Sequence, residues 1–186
     1  MDLIKQGIQH ILDLEGYDHL LFLMVLISPY HFRHFKKIVL LVTAFTIGHS
    51  VTLSVSSLEL FYIPGHLIEL LIPITILLTA IYNVFIPRRR KQSTIPTYIL
   101  VLVFGFIHGM GFSSYFKMIA QKEDFFVNLF GFNIGIELGQ IFIIIAILIV
   151  NVVLKKIPGV TQRYWTYYVN YLGIVLSGWM IWGRLV

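Results

Sequence analysis

The chain has 186 residues, 58% of them hydrophobic and 15% aromatic, with only 12% charged, a net charge of +5 and no cysteine; its mean hydropathy is +0.84. Soluble domains carry about 25% charged residues, so half that share excludes an ordinary soluble globule, a disordered chain and a coiled coil. The absence of cysteine excludes disulfides, thiolate metal sites and cysteine nucleophiles, and the basic excess sits in short runs between apolar segments, as in membrane topology and not nucleic-acid binding.

Charge-free gaps mark the spans in chain order. The gap after Asp18 holds 14 residues (19–32), too few to cross unless the helix starts earlier, so Asp18 and His19 fall inside the first helix. The next gaps hold 21 residues (38–58), 18 (70–87) and 25 (92–116); residues 125–154 are apolar apart from Glu137, and a final gap holds 20 (164–183). A bilayer core of about 30 Å takes roughly 20 helical residues. The reading is all-α: one membrane domain over 1–186, a polytopic bundle of about six helices at 17–29, 38–59, 67–86, 95–116, 126–153 and 165–184. Residues 3–12 are expected on the membrane surface.

Lysine and arginine orient it. Ten fall in the loops 30–37, 87–97 and 155–164, against four (Lys5, Lys117, Lys122, Arg184) on the other side. The basic loops are therefore expected in the cytoplasm, with both termini outward.

Ionisable groups within a spanning helix are costly and mark a function or a buried pair. Five qualify: Asp18, His19, His49, His108 and Glu137. His108 lies roughly 12 Å and Glu137 roughly 16 Å below the outer helix ends at about 1.5 Å per residue. All five thus fall between the outer surface and the midplane. On the fifth helix Asn133, Glu137 and Gln140 share one face; on the second, Thr46, His49 and Ser50 form a similar stripe. Imidazole suits zinc, copper, iron and nickel, and carboxylates supply neutralising charge. The combination points to a divalent metal (nickel, cobalt or zinc), and the near absence of sulfur disfavours copper(I). The alternative is a pair of buried networks, Asp18 with His49 and Glu137 with His108. His31, His34 and His66 read as interfacial.

Four stretches resemble the HupE/UreJ family of hydrogenase and urease accessory membrane proteins. They are His10-Ile-Leu-Asp-Leu-Glu-Gly-Tyr-Asp18-His19, Phe45-Thr-Ile-Gly-His49-Ser50, Phe104-Gly-Phe-Ile-His108-Gly-Met-Gly-Phe112 and Phe132-Asn133-Ile-Gly-Ile-Glu137-Leu-Gly-Gln140. The resemblance implies six or more helices in a bacterial-type inner (plasma) membrane and a secondary nickel or cobalt permease. Asp18, His19, His49, His108 and Glu137 would then hold the metal, with His10, Asn133, Gln140 and Thr46 supporting them. Seven residues separate His10 from Asp18 where the family usually has five, which displaces His10 by about half a helical turn and leaves its place in the site open.

The leading expectation is thus a metal permease in contact with lipid. No ionisable residue marks the inner half, so a carrier needs a rearrangement or a polar route through Thr75, Thr79, Asn83 and Asn151. The rival is a metal-dependent intramembrane hydrolase or acyltransferase acting on a lipid or lipoprotein, with Glu137 or Asp18 as base and Ser50 binding substrate. A homo-oligomer or an accessory partner stays open.

Overall fold

The computed structural model describes residues 3–13, 16–60, 63–85, 94–119 and 124–186. The basic run Arg88–Lys91, together with Glu15, Lys122 and Glu123, lies outside the described residues. Seven α-helices follow in order: α1 (Leu3–Leu12), α2 (Tyr17–Ile27), α3 (Phe35–Ser57, after a 3-10 turn at Phe32–His34), α4 (Gly65–Phe85), α5 (Thr94–Ile119), α6 (Phe125–Leu154) and α7 (Gln162–Leu185). Four stretches are long and apolar enough to cross a membrane: Phe32–Ser57, Gly65–Phe85, Thr97–Ile119 and Phe125–Leu154. Continuous apolar runs without β-strand alternation leave helices as the way to satisfy every backbone amide in lipid.

α7 is less apolar for a reason its faces make plain. Gln162, Thr166, Asn170 and Ser177 are buried, at intervals of about one or two turns, while Tyr164, Tyr168, Tyr171, Trp179 and Trp182 are exposed. Polar groups turned inward and aromatics turned outward suit a lipid-facing helix.

The start of the chain departs from expectation. Residues 3–12 do not lie apart on the surface: Leu3, Gly7 and Ile11 are buried, and α1 packs along α6. The contact is backbone to backbone. A Cβ on Gly7 would collide with the Phe132 carbonyl oxygen, and one on Gly135 with that of Ile4. Small residues let helices approach this closely. Ile4 meets Gly135 while Ile11 meets Gly139, so α1 runs parallel to α6 from the end that carries Glu59, Lys117 and Arg184.

α1 ends at Leu12 and α2 begins at Tyr17; the 11 residues of α2 are too few to span alone. It ends among α7 residues near the basic end. Gln162 Nε2 and Thr166 Oγ1 donate to the Ser28 carbonyl (2.8 and 3.0 Å), Asn170 Nδ2 to Ser28 Oγ (2.7 Å), and Asn83 Nδ2 to the Val25 carbonyl (2.8 Å) and to Asn170 Oδ1 (3.1 Å). The network satisfies the last carbonyls of α2, which have no helical partner. Asn170→Ala removes donors to Ser28 and the acceptor for Asn83, and should cost about 1–3 kcal/mol, read as thermal stability in detergent.

The suggested polar route is occupied by the same kind of bonding. Thr75 and Thr79 donate to the Ile72 and Thr75 carbonyls of their own helix (2.6 and 2.8 Å), and Asn83 joins the α2 network. Asn151 is buried on α6, and its Nδ2 has no hydrogen-bond partner among the described residues. Three of the four groups of that route are thus held in hydrogen bonds.

Candidate metal centre

α3 and α5 meet as closely as α1 and α6. A Cβ on Gly48 would strike the Leu102 carbonyl oxygen, and one on Gly105 that of Phe45. This backbone contact carries His49 and His108 into one interior, together with His10 from α1 and His19 from the first turn of α2. Ring centroids lie 4.9 Å apart for His10 and His19, 5.0 Å for His19 and His108, and 6.0 Å for His10 and His49. Asp18 Oδ1 sits 2.9 Å from His19 Nδ1 and accepts the His19 backbone N–H at 2.8 Å.

His10 belongs to this group despite its spacing. The half-turn displacement supposes one continuous helix from His10 to Asp18, whereas His10 stands on α1, which ends at Leu12, and Asp18 on α2, which begins at Tyr17. The sequence also gave no sign of the aromatic bed. Phe112 lies 3.7 Å from the His10 ring, Phe45 5.3 Å from His108 and 6.1 Å from His49, and Phe22 5.8 Å from His108.

Burial makes the cluster expensive. Relative exposure is 0% for His49, 2% for His108 and 8% for His19. Both ring nitrogens of His49 and His108, and Nε2 of His10 and His19, have no hydrogen-bond partner among the described residues. A buried polar group without a partner costs about 1–3 kcal/mol, so the nitrogens of His49 and His108 are set apart from those of a hydrogen-bonded scaffold. A scaffold histidine would carry a carbonyl or hydroxyl partner. Among the described residues, no group of three or more His, Asp or Glu side chains is disposed to hold a metal ion as it stands. The rings are neighbours without converging donors.

The cluster is reached from one end. A cavity of about 670 Å³ is lined by His10, His19, His108 and Asp18 and, toward the end that carries Arg184, by Asp13, Glu59, Glu69 and Lys117. Lys117 pairs with Glu59, joining the end of α5 to that of α3. Asp13, Glu59 and Glu69 were not singled out from the sequence, because no linear motif sets them on one wall.

Glu137 is elsewhere. Its Oε1 accepts from Thr43 Oγ1 at 2.6 Å, and with Thr43, Thr46, Ser50 and Asn133 it lines a second groove between α3 and α6. Gln140 Oε1 accepts from Thr46 Oγ1 at 3.0 Å, Asn133 Nδ2 donates to the Leu129 carbonyl at 2.8 Å, and Ser50 Oγ to that of Thr46 at 2.6 Å. The residues singled out from the sequence therefore fall into two groups, with α3 contributing to both.

The family model for HupE / UreJ protein matches residues 1–182. The chain belongs to the HupE/UreJ family. No curated protein and no solved structure matches it. Membership agrees with a multi-pass helical membrane protein, and the four motif stretches map onto α1–α2, α3, α5 and α6 of the bundle.

Proposed function

We propose that this HupE/UreJ protein is a secondary permease for nickel or cobalt in a bacterial plasma membrane, with the acidic cavity facing outward. The observation that carries the reading is the group of four imidazoles from four different helices, with His19, His49 and His108 buried and with His10, His19 and His108 lining a cavity that has four carboxylates on its walls. His10, Asp18, His19, His49 and His108 are the residues that would take the ion. Neutral imidazole is the ligating form, and rotation of the rings would turn their unmet nitrogens toward a common point. Asp13, Asp18, Glu59 and Glu69 draw cations to the mouth. The carbonyl end of the α1 dipole is directed at the same interior, which favours positive charge there.

With Thr75, Thr79 and Asn83 tied up in hydrogen bonds, this is the arrangement of a carrier open to the acidic side. Release to the other side requires the α2 end and its α7 network to move. Glu137 stands outside this reading of the ligand set.

Two measurements test it. Proteoliposomes loaded with a metal-sensitive dye should show saturable nickel or cobalt uptake, and His49→Ala should abolish it. Stoichiometric binding with no uptake would instead favour the metal-dependent hydrolase. For orientation, a membrane-impermeant thiol reagent applied to intact cells should label Ser114→Cys and spare Lys156→Cys; the reverse pattern would place the cavity in the cytoplasm.

A further inference from the structure

The groove between α3 and α6 has a chemistry opposite to that of the imidazole cluster. It encloses about 330 Å³, and the polar groups along it are Thr43, Thr46, Ser50, Asn133 and Glu137. Every one presents oxygen, and among the described residues no lysine, arginine or histidine lines it. Phe126, Leu129 and Phe130 complete the wall, so the groove runs along α6 from its first turn down to Glu137. It can therefore be reached from the membrane surface at the same end as the histidine cavity.

One acceptor in this groove is short of a donor, and a carboxylate lies beside it. Asn133 Nδ2 donates to the Leu129 carbonyl at 2.8 Å, which settles which end of the amide is oxygen. Its Oδ1 is buried without a hydrogen-bond partner among the described residues. One turn along the same face, the Glu137 carboxylate has the Thr43 hydroxyl on Oε1 at 2.6 Å. A proton on Glu137 would serve the carboxylate and leave Asn133 Oδ1 as it is. A small cation serves both, together with lone pairs on the hydroxyls. Hard cations take carboxylate, amide and hydroxyl oxygen. A single carboxylate is neutralised by one positive charge, and a divalent ion would leave net charge in a low-dielectric groove.

We infer that the α3–α6 groove is a monovalent-cation site, selective for sodium, built on Glu137, Asn133 and Thr43. It is separate from the imidazole cluster in donor type and in location. Thr46 lines the groove and bonds Gln140, and it lies one turn from His49 on α3. Occupancy of one site thus bears on the helix that carries the other. This coupling rests on the transport reading; the site itself does not.

Binding is testable without any metal. A lipid-soluble carbodiimide adds to a protonated carboxyl group within the membrane, and a bound cation excludes it. Purified protein in detergent is treated with dicyclohexylcarbodiimide at fixed pH and ionic strength, in sodium or in choline, and the adduct at Glu137 is quantified by peptide mass spectrometry. At sodium about ten times its dissociation constant, mass action leaves about a tenth of the sites open, so labelling should fall about tenfold, and potassium should protect far less. Asn133→Leu should keep the labelling and lose the protection. Thermal stability should rise with sodium in the wild type and not in Glu137→Gln. Labelling indifferent to sodium would overturn the proposal and leave a proton-only carboxylate. A melting temperature independent of sodium in the wild type would overturn it too. Neither outcome touches nickel uptake, so failure here and failure of the permease reading are distinguishable.

Discussion

His49→Leu and His108→Leu should each lower nickel or cobalt affinity by at least about a hundredfold, the upper end of what even outer partners of a ligand are worth, without lowering thermal stability. The second half of that expectation is the informative one. Deleting a hydrogen-bonded scaffold histidine exposes its partner's unmet group and costs about 1–3 kcal/mol. Here the four ring nitrogens of these two residues have no partner among the described residues, and the neighbours are Phe45 and Phe22. Leucine brings no polar group into that bed, so the metal-free variant should be as stable as the wild type or more so, the usual trade between function and stability at a site. Isothermal titration with nickel, beside melting curves in chelator, reads both halves. A variant that melts lower and still binds metal would make these histidines structural.

Gly135→Val should separate α1 from the bundle. A Cβ there meets the Ile4 carbonyl oxygen and lies 3.0 Å from Gly7 Cα. Both obstacles are backbone, so no side-chain rotation relieves them. Overpacking of this kind costs about 1–3 kcal/mol, or about 2–4 °C of melting temperature for each kcal/mol. Metal affinity should fall as well, because α1 carries His10 into the cluster. His10→Ala should reproduce the loss of affinity with little loss of stability. Gly178→Ala is the control: nothing lies within 4 Å of its added Cβ, and alanine favours the helix by about 1 kcal/mol. If Gly135→Val melts and binds like the wild type, α1 is not docked as described.

The long helices were legible because each is a continuous apolar run bounded by charge, and α3 to α7 begin and end within a few residues of the charge-free gaps. α1 was not legible. Lys5, Gln6 and Gln9 give its ten residues the look of a surface helix. Its insertion depends on a match between Gly7 and Gly135, residues 128 positions apart, which no local pattern reports. Missing that α1 and α2 are separate helices had a second effect, since it made the His10 spacing seem to matter.

The Asn133, Glu137 and Gln140 stripe shows a different limit. Helical periodicity states that these residues share a face, and they do. It does not state which neighbour the face meets, and α6 packs against α1, α2 and α3. The stripe turned toward Thr43 and Thr46 of α3. His19, His49 and His108 were easier, because an ionisable group within a spanning helix turns toward the bundle interior and away from lipid.

The most direct test of the imidazole cluster is nickel X-ray absorption on the purified protein. The account predicts a first shell dominated by nitrogen at about 2.1 Å, the usual metal–imidazole distance, with the outer-shell scattering of at least three histidine rings, and loss of bound nickel in the combined His19→Ala, His49→Ala, His108→Ala variant. Nickel held by oxygen alone, or held equally well by that variant, would contradict it.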